Sequence, residues 1–112
     1  MALSFELKTH EADNFYFDTL DSKGELLLMS TGYATKEEAE RAIQDVRVGS
    51  MMSQNISVGD ADGKKFFVIK NQAGQILVKS ILFESEMVFN NALHSVREGA
   101  CIAKVNDLTA AA

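Results

Sequence analysis

The side chains able to do chemistry in this chain are few and scattered. The histidines are His10 and His94, and the one cysteine is Cys101. A structural or catalytic metal site needs three or four His, Cys or carboxylate ligands that converge, and neither histidine has neighbours at such spacing. Asp60-Ala61-Asp62-Gly63 opens like a calcium loop, but the twelfth position from Asp60 is Asn71 rather than Glu. Glycine also falls fourth instead of sixth, so the coordination pattern fails and a hairpin turn is the expectation. Gly24 and Gly74 stand alone, whereas a phosphate cradle needs several glycines between a strand and a helix. Glu37, Glu38 and Glu40 crowd a helix start, where carboxylates complement the helix dipole. No two carboxylates have a reason to be brought together. The expectation is a protein that is not an enzyme and has no cofactor and no metal.

What the sequence does organise is a repeat. Gly24-Glu-Leu-Leu-Leu-Met-Ser30 returns as Gly74-Gln-Ile-Leu-Val-Lys-Ser80, a spacing of 50 residues. In the same register Phe17 matches Phe67, Leu27 matches Leu77, Ala42 matches Ala92, Val46-Arg47 matches Val96-Arg97, and Gly49 matches Gly99. Such self-similarity has to be read before any other feature. It places His94 opposite Gln44 on a helix flank, which makes it a surface histidine. It also places Cys101 opposite Met51, which makes it a buried structural thiol.

The elements that carry these positions follow from local patterns. Ser4 to Thr9 alternates apolar and polar residues, the period of a strand. Asn14 to Leu20 is rich in aromatics, Asp21-Ser-Lys-Gly24 is a turn, and Glu25 to Thr31 is the returning strand. Pairing Leu20 with Glu25 would put Phe15, Phe17, Leu26 and Leu28 on one face, and Tyr16, Asp18, Leu27 and Met29 on the other. Thr35-Lys-Glu-Glu38 has the pattern of a helix cap. Ala39, Ala42, Ile43 and Val46 form the apolar stripe of that helix, and Gly49 is its expected stop. The second copy repeats the plan, with a strand at Ile56-Ser-Val58, a turn at Gly59-Asp-Ala-Asp-Gly63, a hairpin, Ser85 as cap, Phe89, Ala92, Leu93 and Val96 as stripe, and a helix end at Arg97-Glu-Gly99. Cys101 to Leu108 is the last strand.

Composition bounds the rest. A chain of 112 residues buries roughly 65% of its unfolded surface on folding. Units of about 50 residues are near the lower limit for folding alone, so one shared core is expected for residues 1–112. Repeat one covers about 4–55 and repeat two about 56–109. No apolar run reaches the ~20 residues of a membrane span, and the start lacks a signal pattern, so a cytoplasmic protein with no membrane partner is expected. A single cysteine suits a reducing compartment. Residues 1–55 hold 5 Lys/Arg against 10 Asp/Glu, and residues 56–112 hold 6 against 6. An acidic chain without a basic stripe makes a nucleic-acid partner an unfavoured reading, because phosphate neutralisation supplies most of that affinity.

The residues themselves are familiar in combination. Gly24-Glu-Leu-Leu through Ser30-Thr-Gly-Tyr33, Ala34-Thr-Lys36 and Ala42-Ile-Gln-Asp-Val46 resemble the YegP-like family of small bacterial proteins. So do their counterparts Gly74-Gln-Ile-Leu, Ser80, Phe83, Ser85, Asn91 to Val96 and Val105 to Thr109. The family usually has Asn-Gly in the helix, where this chain has Arg41-Ala42 and Asn91-Ala92; Gly32-Tyr33 of the first copy becomes Leu82-Phe83 in the second. The resemblance implies an α+β fold of two β3-α-β repeats sharing one antiparallel sheet. Their closing strands are exchanged, and both helices pack on one face. It implies no activity.

One surface carries a functional expectation. The sheet face away from the helices would present Tyr16, Leu27, Met29, Phe66, Val68, Leu77 and Ile81, interrupted by Asp18, Lys70 and Lys79. The doubly apolar run Leu26-Leu-Leu-Met29 suggests that both faces of its strand are covered. A patch of that kind is larger than monomers usually leave wet. The leading expectation is an interaction module that self-associates or docks a protein partner through this face. A small-ligand protein with an apolar pocket between helices and sheet is the alternative. A third reading is nucleic-acid contact through Lys64, Lys65, Lys70 and Lys79.

Overall fold

A computed structural model describes residues 3–9 and 14–109. In chain order the elements are β1 (Ser4–Thr9), β2 (Phe15–Leu20), β3 (Leu26–Ser30), α1 (Lys36–Gly49), β4 (Ile56–Ala61), β5 (Lys64–Lys70), β6 (Ile76–Ser80), α2 (Glu86–Gly99) and β7 (Lys104–Asp107). Short 3₁₀ turns at Ser53–Asn55 and Ala100–Ile102 follow the helices. The strands form one seven-stranded sheet in the order β4-β5-β6-β3-β2-β1-β7. It is not antiparallel throughout, because β7 lies parallel to β1, with Ser4 opposite Lys104 and Leu7 opposite Asp107. The strand after α1, β4, lies at the other edge of the sheet and pairs with β5.

The two hairpins, β2–β3 and β5–β6, are closed in the same way. The Asp21 carboxylate accepts from the backbone N–H of Lys23 and Glu25, and Gly24 supplies the left-handed residue at φ 83°. Asn71 accepts from Ala73 and Gln75 in the same way, with Gly74 at φ 86°. The β2–β3 register is Asp18–Met29, Thr19–Leu28 and Leu20–Leu26; adding 50 to each number gives the β5–β6 register, Val68–Lys79, Ile69–Val78 and Lys70–Ile76. Each hairpin therefore skips one residue, Leu27 or Leu77. The expected pairing of Leu20 with Glu25 is displaced by one, since Glu25 bonds Asp21 instead. Farther along, each ladder breaks again and a serine bridges the gap. The Ser30 hydroxyl accepts from Phe17 N–H at 2.9 Å, and the Ser80 hydroxyl accepts from Phe67 N–H at 2.9 Å. Each also donates to the next residue's carbonyl, Thr31 or Ile81.

Both helices begin as their sequences dictate, with the Thr35 and Ser85 hydroxyls accepting from the N–H of Glu38 and Val88. Their stripes, Ala39, Ala42, Ile43 and Val46 in α1 and Phe89, Ala92 and Val96 in α2, are buried; Leu93 is half-buried. They share a single core with Phe5, Leu7, Phe17, Leu28, Phe67, Ile69, Val78 and Phe83. One packed cluster across both halves means that both helices lie on the same sheet face. Each buried aliphatic there contributes roughly 2–5 kcal/mol relative to alanine.

Gly49 and Gly99 have a different reason from a helix stop. Both are the last helical residues, and neither has a positive φ. A Cβ on Gly49 would stand 2.8 Å from Ile69 Cγ2 and 3.2 Å from the Lys70 carbonyl oxygen. On Gly99 it would stand 3.2 Å from Leu3 Cγ. Each helix thus ends pressed against a segment of the other half.

Candidate functional site

Strand alternation sorts the residues of the outer sheet face, the one opposite the helices. Backbone pairing runs across it from Ser57 to Val68, Lys79, Met29, Asp18, Glu6 and Asn106. A neighbouring pair of rows places Phe66 beside Gly59 and Tyr16 beside Lys8. Tyr16 and Phe66 stand 50 residues apart in the sequence, on β2 and β5, so each hairpin gives the face one aromatic ring.

Of the seven residues expected on this face, four are there. Met29 is 40% exposed, Tyr16 and Phe66 are half-buried, and Val68 is only 6% exposed. Val68 stands outside the helix-side core cluster, as its place in the row requires. Leu27 and Leu77 belong to the core instead, at 8% and 5% exposure. They are the residues skipped in the two hairpin registers, and a bulge sets two consecutive side chains on one side of the sheet. Ile81 is half-buried against the same core.

The polar groups of the face are placed asymmetrically. In the first half Lys8 Nζ lies 2.8 Å from Asp18 and 3.5 Å from Glu6. The Asp18 hydrogen bond holds the Lys8 ammonium above its ordinary value. In the second half the Lys79 ammonium stands 4.6 Å over the Phe66 ring. That ring in turn lies over Gly59, where a Cβ would come within 2.3 Å of it. Gly59 is therefore glycine because Phe66 is stacked upon it, a relation that only the fold reveals.

The other candidate groups are not brought together. Lys64 and Lys65 pair with Glu84 and Glu86, and Lys65 also lies over the Phe89 ring, so Lys64, Lys65, Lys70 and Lys79 do not form one uncompensated basic surface. His94 is exposed beside Glu98 at 3.3 Å; His10 lies outside the described residues. Cys101 is partly exposed rather than buried, because it sits on the short turn after α2. Its carbonyl accepts from Arg47 Nη1 at 2.9 Å, and the Arg47 guanidinium covers the Phe5 ring. The Asp60–Gly63 segment is the end of a tight hairpin, with Asp62 and Gly63 both at positive φ. Among the described residues no three His, Cys, Asp or Glu side chains are grouped as a metal site would need, and no helix is long and apolar enough to cross a membrane. The space between helices and sheet is filled by the core, and surface hollows are lined by mixed polar residues such as Gln54, Asn55, Lys70 and Asn71.

Seven strands, mostly antiparallel, with two helices on one side and a mixed aromatic and charged surface on the other define a small α+β protein. No family model matches the chain. Its relatives are nevertheless clear. The UPF0339 protein of Pseudomonas aeruginosa is 32% identical over 108 residues, covering 96% of this chain and 98% of the relative. The chain belongs to the UPF0339 family, which includes YegP. The solution structure of the UPF0339 protein of Shewanella oneidensis superposes with a TM-score of 0.91 at 28% identity, covering 97% of this chain and 93% of that one. The solution structure of yegP from Escherichia coli, described as a protein of unknown function, superposes with a TM-score of 0.89 at 28% identity and covers 100% and 97%.

Proposed function

We propose that this protein is a non-enzymatic interaction module that self-associates or docks a protein partner through the outer face of its sheet. The observation that carries the reading is the row Val68, Lys79, Met29 and Asp18 with Tyr16 and Phe66 beside it, over which no described element lies. Apolar residues there give a partner something to bury, and Lys8, Asp18 and Lys79 give it charges to match. Residues 1–112 act as one domain of two repeats that exchange closing strands. Support for this comes from the equal hairpin registers, from β7 lying on β1, and from Gly49 and Gly99 each contacting the other half. A single, unpaired cysteine is in keeping with work in the cytoplasm.

The test is to place charges on the face without touching the core. Met29→Glu and Phe66→Glu should leave the circular dichroism spectrum unchanged while weakening self-association or capture of the partner. Leu27→Glu, in contrast, should unfold the protein, because it puts an unpaired charge in the core. A wild type that neither self-associates nor retains a partner would defeat the proposal, as would a contact on Tyr16, Met29 and Lys79, mapped by NMR shift changes, that the face variants leave as strong as in wild type.

A further inference from the structure

The two edges of the sheet are guarded very differently. At one edge β7 is short, holds Lys104 and Asp107, and is tied by Asp107 to Lys36 of α1. At the other edge β4 runs six residues, Ile56-Ser-Val-Gly-Asp-Ala61, in unbroken register with β5. It contains no lysine, proline or bulge, and Asp60 is its one charge. Natural edge strands usually carry such guards, because an open row of backbone groups is a template for another strand.

Which groups are open follows from β5. Lys65 N–H donates to the Phe83 carbonyl and Phe67 N–H to the Ser80 hydroxyl, both on the β6 side. Alternation then turns Phe66 and Val68 toward β4, so their opposite residues Gly59 and Ser57 use their own backbone groups on β5. The N–H and C=O of Val58 and Asp60, and the C=O of Ile56, point away from the sheet. Ile56 N–H is already donated to Ser53. No described element lies against this edge. The side chain of Val58, opposite Phe67 and so on the helix face, is 57% exposed.

We infer that β4 pairs antiparallel with β4 of a second copy of this chain, about a two-fold axis at Val58. In that register Val58 exchanges both of its hydrogen bonds with the second copy's Val58. The Asp60 N–H donates to the second copy's Ile56 carbonyl, and the same bond forms in reverse. The used N–H of Ile56 marks where pairing stops. The two valines become cross-strand neighbours on the helix face, and each Asp60 lies beside an isoleucine rather than beside its own copy. Every open group of the edge except the Asp60 carbonyl, which faces the used N–H of Ile56, finds a partner, and no like charges meet, as a self-complementary two-fold contact requires. The edge is separate from the sheet face assigned above, but pairing there would set the Phe66–Val68 patches of two copies on one continuous surface.

The experiment uses the intact chain. Amide exchange by NMR and sedimentation velocity are compared at about 20 µM and about 1 mM, a range that spans weak self-association. The expected result is a dimer at the higher concentration, with the Val58 and Asp60 amides becoming protected there. Val58→Pro removes an outward N–H while sparing the Ser57 and Gly59 bonds to β5, since proline is tolerated on an edge strand. It should weaken the dimer at least about ten-fold with unchanged circular dichroism. Val58→Lys, which sets like charges opposite each other, should do the same if the proline variant folds poorly. Met29→Glu should leave the concentration-dependent protection of the Val58 and Asp60 amides intact, even where it weakens contact through the sheet face. Equal exchange of Val58 and Asp60 at both concentrations would overturn the inference. So would a dimer lost in Met29→Glu but kept in Val58→Pro, which would assign self-association to the sheet face.

Discussion

Thr19 offers a sharp test of how this core is balanced. It is fully buried in the middle of β2, opposite Phe5 on one side and Leu28 on the other, and its hydroxyl has no hydrogen-bond partner. The equivalent residue of the second half is Ile69, also fully buried. A hydroxyl buried without a partner costs roughly 1–3 kcal/mol. Thr19→Val replaces it with a methyl group of similar size, removing that cost and adding apolar contact. Some of the gain is offset by imperfect packing, so a net stabilisation of about 1–2 kcal/mol is expected. For a domain of this size each kcal/mol raises the melting temperature by about 4 °C. Thr19→Ser keeps the hydroxyl and loses the methyl, and should be less stable than wild type by about 1 kcal/mol. Urea unfolding followed by circular dichroism gives the order directly, with valine above threonine above serine. A valine variant less stable than wild type, with serine equal to wild type, would mean that the hydroxyl is satisfied in solution and would refute the reasoning.

The bridging serines and the β7 anchor give two more tests. Ser80→Ala leaves the buried Phe67 N–H without its acceptor and should cost about 1–3 kcal/mol in the same unfolding assay, and Ser30→Ala should cost less because Ser30 is only half-buried. The Lys36 ammonium, with help from Thr109, lowers the Asp107 carboxyl from its ordinary 3.8 to about 2. A depressed folded value means that the contribution is complete above the unfolded value and is lost as pH falls from about 4 to about 2. Amide exchange in β7, measured by NMR relative to β2, should therefore accelerate across that window, and Asp107→Asn should remove the dependence.

Much of this architecture is written in local patterns. The caps at Thr35 and Ser85, the helix stripes and the Asp21 and Asn71 turns each follow from a few adjacent residues. Leu26-Leu-Leu-Met29 misleads because strand period alone assigns alternate residues to opposite faces, whereas one skipped residue puts Leu27 and Leu28 on the same side. A bulge leaves no mark in composition; here its trace is an apolar doublet repeated 50 residues later. Gly49, Gly99 and Gly59 read as turn or stop residues for the same reason. What excludes a side chain at each is Ile69, Leu3 or Phe66, and such contacts between distant segments are invisible to neighbours in sequence. The candidate face was legible in Tyr16, Met29, Phe66 and Val68. The exposed β4 edge was not, because which backbone groups remain open depends on the hydrogen bonding of β5.

The parallel pairing of β7 with β1 also sets an order on how the chain can be made. Ser4 waits for Lys104, and Leu3 for Gly99, so β1 is completed only by the much later β7. Until α2 and β7 emerge from the ribosome, β1 can pair with β2 but has an open flank and an uncovered Leu3. Contacts of such long sequence separation close late and slow folding. The nascent chain thus carries an incomplete sheet until β7 is made, with the flank of β1 that β7 will cover left open.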